Sequence, residues 1–93
     1  MIEKSRASKT NTFAITVSTI PQKAFTNNPS RKSAFIMNAG SVTVYLTSAQ
    51  NKPYAEGIPI ETGDCLEDDS SYAELWLVTA SSTSDCRCKE DTW

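Results

Sequence analysis

Three cysteines are the side chains in this 93-residue chain most suited to chemistry. Cys86 and Cys88 are two residues apart, so on a strand both thiols point to one face, and Cys65 could meet one of them across a core. Three thiolates could supply three zinc ligands, but a structural zinc site normally has four, and the chain has no histidine to provide the fourth. A disulfide from Cys65 is conceivable, although folding in a cytoplasm disfavours it. We interpret all three as small buried hydrophobic side chains and predict no metal.

A cluster of acidic residues is the second candidate for chemistry, at Asp64, Glu67, Asp68 and Asp69. Calcium sites need several oxygen ligands that converge from one loop, and this spacing lacks the alternating Asp-x-Asp-x-Asp-Gly pattern. Paired carboxylates for glycoside hydrolysis would need a cleft that so small a domain rarely supplies. We therefore expect a solvated turn at this cluster.

The absence of histidine removes most catalytic arrangements. Without an imidazole the chain has no Ser-His or Cys-His nucleophile pair. The three glycines stand singly at expected turns, so there is no glycine-rich phosphate loop. The composition predicts a protein that is not an enzyme and that binds no cofactor.

Charge is distributed unevenly along the chain, although the formal net charge is only −2. Residues 1–40 carry six basic groups and one acidic group, whereas residues 41–93 carry three basic and ten acidic groups. Such a separation suits head-to-tail docking on a repeated lattice, unless the two halves interleave in the fold.

The N-terminal residues 1–11 are polar and are predicted to form a flexible arm. Lys4, Arg6 and Lys9 in this arm are candidate contacts to a partner surface on which the arm becomes ordered. Nucleic acid is disfavoured as the partner, because the chain is acidic overall and no aromatic residue interleaves these basic groups. No apolar run is long enough to span a bilayer and no secretory signal is visible, so we expect synthesis in a cytoplasm and no membrane partner.

Residues 12–93 are predicted to form one all-β domain, a small antiparallel sandwich or barrel. Apolar residues alternate with polar ones, and turns recur often enough for about seven or eight short strands. We expect residues 32–38 and 42–47 to form a hairpin, with Gly40 supplying a positive φ at its turn. The expected strands lie at residues 12–19, 22–25 (an edge strand), 32–38, 42–47, 58–60, 64–67, 74–79 (a central strand) and 85–90.

Aromatic residues are the best candidates for contact with another molecule. Tyr54 lies in an expected loop and Trp93 at the terminus, so we predict that both contact a partner. Together with Tyr72, they could instead form a platform on which a sugar stacks. Trp76 alternates with two leucines and is expected to pack on one face of a sheet.

A loose layout of motifs runs from residue 28 to residue 93. It has an Asn-Pro-Ser-Arg start, an apolar strand that ends in Asn, a Val-Tyr-Leu strand, a Gly-x-Pro-Ile stretch, and a Leu-Trp-Leu-Val strand. The residues that carry it are Asn28, Pro29, Ser30, Arg31, Asn38, Tyr45, Gly57, Pro59, Gly63, Leu75, Trp76 and Leu77. This layout resembles small β-sandwich proteins of tailed bacteriophage virions, among them capsid decoration proteins, head fibres and neck or tail adaptors.

Within this layout, Arg31 and Asn38 are interpreted as structural residues. Arg31 begins a strand after a rigid Asn-Pro turn, where its guanidinium can bind loop carbonyls or a carboxylate. Asn38 ends the same strand and can fix the following turn through its side-chain amide.

The resemblance implies a non-enzymatic structural component of a phage virion, with the major capsid protein or other virion proteins as partners. We expect a decoration or cementing protein that binds the assembled head as a homo-oligomer. A neck, collar or tail adaptor is the first alternative, and a carbohydrate-binding module is the second.

Overall fold

The computed structural model describes residues 9–93, which form eight strands in two antiparallel four-stranded sheets. In chain order the strands are β1 (Lys9–Val17), β2 (Gln22–Phe25), β3 (Arg31–Asn38), β4 (Val44–Thr47), β5 (Ile58–Ile60), β6 (Cys65–Asp68), β7 (Leu75–Thr79) and β8 (Ser84–Thr92). Sheet A has the strand order β1-β8-β3-β6, and sheet B has the order β2-β7-β4-β5. One turn of 3₁₀ helix, Tyr54–Glu56, precedes β5. The predicted all-β fold is confirmed.

A single hydrophobic core lies between the two sheets. Its completely buried apolar side chains are Val17, Ile36 and Cys86 from sheet A and Val44 and Leu77 from sheet B. Burying each large aliphatic side chain stabilises the fold by about 1.5–3 kcal/mol. The predictions that β2 is an edge strand and β7 an inner strand are also confirmed.

The first strand begins earlier than the sequence predicts. Lys9 to Asn11, expected to belong to the arm, instead pair with Thr92 to Glu90 of β8. These residues are polar, so the alternation of apolar side chains did not predict that they belong to the strand. A polar contact between the strands stabilises the pairing here, since the Thr10 hydroxyl donates a hydrogen bond of 2.8 Å to the Asp91 carboxylate. The rest of the predicted arm, residues 1–8, lies outside the described residues.

The predicted hairpin between β3 and β4 is wrong, because the two strands lie in different sheets. β3 pairs with β6 and β8, and β4 pairs with β5 and β7, so residues 39–43 cross from one sheet to the other. Gly40 in this crossing does not have a positive φ. It is required because a Cβ at this position would lie 1.9 Å from the Ser84 hydroxyl oxygen and 2.6 Å from the Asp85 nitrogen.

Arg31, at the start of β3, ties sheet A to the loops of sheet B. Its buried guanidinium donates to the Thr26 carbonyl at 3.0 Å and to the Ala73 carbonyl. It also forms an ion pair of 3.2 Å with Glu90 of β8 and lies over the ring of Phe25. These partners compensate for the burial of the charge, and Nε is the one guanidinium nitrogen without a hydrogen bond.

Asn38, at the end of β3, links the two sheets at the opposite end of the molecule. Its side-chain oxygen accepts hydrogen bonds from the Gly40 nitrogen at 3.0 Å and from the Ser84 hydroxyl at 2.7 Å. Its side-chain nitrogen donates to the Val42 and Ile60 carbonyls, both at 2.8 Å. The residue is completely buried, so these bonds replace all the water that the amide loses on folding.

We predict that Asn38→Asp lowers the free energy of unfolding by about 3 kcal/mol at neutral pH. The carboxylate keeps the shape of the amide, but it places a buried charge against the carbonyl oxygens of Val42 and Ile60. Urea unfolding followed by tryptophan fluorescence measures the change. Asn51→Asp, the same substitution in an exposed loop, is the control and should cost less than about 0.5 kcal/mol. Equal losses in the two variants would contradict the role of Asn38.

Candidate interaction surfaces

The outer face of sheet B presents a group of aromatic side chains. Leu75 and Leu77 of β7 point into the core, so Trp76 between them points outward. Tyr45 of β4 points outward for the same reason and lies opposite Val78 of β7. Tyr54, from the 3₁₀ turn, packs against Tyr45 with ring centroids 5.1 Å apart.

We call Tyr45, Tyr54, Trp76, Lys23 and Glu74 the aromatic face. The Trp76 indole N–H donates a 3.0 Å hydrogen bond to the Glu74 carboxylate, which also pairs with the Lys23 ammonium at 3.2 Å. The ammonium lies 5.5 Å from the centroid of the Trp76 ring. The hydrogen bond from Trp76, and then Lys23, lower the pKa of the Glu74 carboxyl, so it is ionised at neutral pH. The face therefore combines aromatic rings with a fixed pair of opposite charges.

A close backbone approach holds Tyr54 on this face. Gly57 follows the 3₁₀ turn, and a Cβ there would lie 2.9 Å from the Leu46 carbonyl oxygen and 3.0 Å from the Tyr45 Cβ. The Gly57 nitrogen closes the turn by donating to the Tyr54 carbonyl. Only glycine allows the turn to lie this close to β4, which brings the Tyr54 ring over Tyr45.

The sequence predicted a partner contact at Tyr54 but did not single out Tyr45 as one. The alternation of Val44, Tyr45 and Leu46 was the available signal, since it places the tyrosine on the face opposite the two core residues. The neighbouring position of Tyr54 could not be foreseen, because it depends on the path of a loop.

The other predicted contact residues lie elsewhere on the molecule. Trp93 follows β8, about half exposed, with the Lys32 ammonium 5.6 Å from its ring centroid. Tyr72 is exposed in the connection between β6 and β7, where its carbonyl accepts from the Asn28 nitrogen. Among the ring contacts of residues 9–93, none joins Trp93 or Tyr72 to Tyr54. Lys9 is exposed at the start of β1, whereas residues 4 and 6 lie outside the described part of the chain.

Two depressions mark other parts of the surface. One, of about 490 Å³, lies on the outer face of sheet A, where Phe35 and Ala14 are flanked by Arg87 and Lys89. The second, of about 520 Å³, opens between the sheets beside β5 and β6, and its apolar lining is Leu46, Ile58, Leu66 and Leu75. The second depression is also lined by charged side chains, namely Lys52, Glu56, Glu67 and Asp68.

The cysteines divide into two environments. Cys86 and Cys88 are buried in the core, where desolvation is the main cause that raises their pKa values to about 11 and about 12. Cys65 was expected to be buried with them, but it is exposed, because its side of edge strand β6 faces away from the core. All three thiols are free, and in residues 9–93 no three potential metal ligands converge.

The expected turn at the acidic cluster is wrong for Glu67 and Asp68, which belong to strand β6. The Asp68 carboxylate accepts hydrogen bonds from the Ser70 nitrogen and hydroxyl just after the strand. Within residues 9–93 there is no helix with the length and apolar character to cross a membrane.

Comparison of the chain with protein-family models, with curated proteins and with solved structures found no match.

We predict that Cys65 alone reacts with Ellman's reagent in the folded protein at about pH 8. Cys86 and Cys88 are protonated at that pH, because their pKa values are raised to about 11 and about 12, and they are also shielded by the core. Thiol titration should give one equivalent per chain in the folded state and three after unfolding in guanidinium chloride. Cys65→Ser should reduce the folded-state count to zero. A count of two or three in the folded wild-type protein would show that the core thiols are accessible.

Proposed function

We propose that this chain is a non-enzymatic structural protein of a tailed-phage virion, which decorates the assembled head and binds it through the aromatic face. The setting is supported by the resemblance of residues 28–93 to small virion sandwiches. The binding mode is supported by the geometry of sheet B. The observation that carries the proposal is that Tyr45, Tyr54 and Trp76 lie on one outer sheet face, where the Lys23–Glu74 ion pair contacts Trp76.

The aromatic face has the composition of a protein-binding hot spot. Tyrosine and tryptophan dominate such sites because they bury much apolar area and lose little side-chain entropy. Tyr45 and Trp76 project from strands, so their backbone positions are fixed before any partner arrives. Lys23 and Glu74 add charges of both signs, which select the orientation of a partner more than they add affinity.

A head lattice is a suitable partner for so small a domain. One face of a 93-residue chain buries limited area against another protein, which gives modest affinity per copy. A capsid offers the same site many times in a symmetric array, so many copies can still cover the particle. The major capsid protein is the partner that presents this repeated site.

A neck, collar or tail adaptor is the alternative within the same setting. The number of copies on each particle separates the two roles, because the head surface repeats its sites many times more often than the neck or the tail does.

We predict on the order of hundreds of copies of the chain per purified particle of the phage that encodes it. Quantitative mass spectrometry of these particles, calibrated against the major capsid protein, measures the number. About a dozen copies or fewer would replace decoration by the adaptor role. Absence of the chain from the particles would overturn the virion proposal altogether.

We predict that Tyr54→Ala weakens binding to heads from a phage lacking the gene by about tenfold. Tyr72→Ala, which removes an exposed tyrosine outside the aromatic face, is the matched control and should bind within about twofold of wild type. Co-sedimentation of labelled protein with these heads measures both. Undiminished binding of Tyr54→Ala, or an equal loss in both variants, would remove the aromatic face as the contact.

A carbohydrate-binding module is the second candidate, and the same surface favours it. Aromatic rings beside a carboxylate can stack on a sugar and accept hydrogen bonds from its hydroxyls. Binding to a glycan array that disappears in Trp76→Ala would support this alternative. An array without signal would remove it and would leave the virion proposal untouched.

A further inference from the structure

The described residues have four edge strands, and three of them carry features that discourage pairing with another chain. β2 has four residues and an irregular register between Lys23 and Phe25. β5 has three residues, and its central one is Pro59. β6 has four residues, of which Glu67 and Asp68 are charged. Short length, irregular register, proline and charge are the usual protections of an exposed sheet edge.

β1 has one of these protections, a charged residue at its first position, and lacks the others. It runs for nine residues and pairs with β8 in an unbroken register from Lys9 to Val17. Lys9 at its start is its one charged residue, and the stretch from Thr10 to Val17 has neither charge nor proline. Within residues 9–93, β1 has a neighbouring strand on its β8 side alone. Every second residue of such a strand directs its N–H and C=O away from the sheet.

The side chains of β1 also leave apolar surface partly uncovered. Phe13 and Ile15 point toward the core at its margin, and both remain partly exposed. Phe13 has one ring contact in the core, edge-to-face with Phe25 at a centroid distance of 5.4 Å. A strand added beside β1 would cover this margin and would pair the free backbone groups.

We infer that β1 pairs with the β1 strand of a second copy of this chain, antiparallel and about a two-fold axis at Ala14. This register places Phe13 opposite Ile15 of the other copy on the core side. It places Thr12 opposite Thr16 on the outer side, and both copies contribute the same stretch from Thr10 to Val17, which has no charge. The two A sheets then form one continuous sheet of eight strands.

A second copy fits this edge better than a different partner because the strand is complementary to itself. In the proposed register, Phe13 meets Ile15 on one side and Thr12 meets Thr16 on the other, and Asn11 against Val17 is the one unlike pair. The charged residue Lys9 lies outside the central paired stretch, so the two copies do not bring like charges together. The inference does not depend on the virion proposal, since it concerns two copies of this chain alone.

Sedimentation equilibrium of the full-length chain tests the pairing at concentrations up to about 1 mM. The expected mass is twice that of the 10.2 kDa chain. Ala14→Lys should shift the equilibrium to monomer, because the two lysines would face each other at the axis. Cys65→Lys is the matched control: Cys65 is exposed on β6, at the opposite edge of sheet A and in the same cross-strand row as Ala14. It should remain a dimer.

Hydrogen exchange supplies a test that does not depend on a variant's folding. In the wild-type protein, alternate amides of β1 should be protected at high concentration and should lose that protection on dilution. A wild-type chain that is monomeric at the highest concentration would overturn the inference. So would a dimer that Cys65→Lys disrupts and Ala14→Lys does not, or β1 amides whose exchange is independent of concentration.

Discussion

The sandwich depends on the bonds that the two buried polar side chains at the ends of β3 make, since all of their polar atoms except the Arg31 Nε find a partner. β3 is an inner strand of sheet A, and its middle is apolar, but Arg31 and Asn38 at its ends are almost completely buried. A buried polar group without a partner costs more than most single packing contacts contribute. Arg31 finds its partners in loops of sheet B, and Asn38 binds residues of both sheets. These bonds fix how the sheets lie on each other, whereas hydrophobic packing alone is not directional.

The sequence predicted which residues face the core more successfully than which strands are neighbours. A period of two placed Trp76 on the face of its strand opposite to Leu75 and Leu77, and the structure agrees. The same period could not assign β3 and β4 to different sheets, because alternation specifies a face and carries no information on the partner strand. Gly40 was read as a turn residue, but it is required by contact with β8, more than forty residues later in the chain. Cys65 was expected in the core with Cys86 and Cys88, but it is exposed on edge strand β6. The residue type alone does not show which strand lies at the edge of a sheet.

The candidate surface was accessible to prediction only in part. Tyr54 could be selected as an exposed aromatic residue in a loop, and Tyr45 could be assigned to an outer face. Their contact depends on Gly57, which lets the 3₁₀ turn lie against β4. The ion pair between Lys23 and Glu74 joins residues from β2 and from the loop before β7, so it appears only when the strand order is known. Long-range pairing therefore creates the surface from residues whose individual exposure was already visible.

The pairing of β1 with β8 also has a consequence for the order of events during synthesis. Their contacts join Lys9 to Thr92 and Val17 to Ser84, so both β1 and β3 acquire their shared neighbour last. Once β7 (Leu75–Thr79) has emerged, sheet B has all four of its strands, but sheet A still has a gap at its centre. Distant pairings of this kind slow the search for the native topology. Until β8 emerges, the strand-forming segment from Thr10 to Val17 carries no charge and has no strand to pair with. A chaperone that shields such segments would bind the nascent chain at this stage.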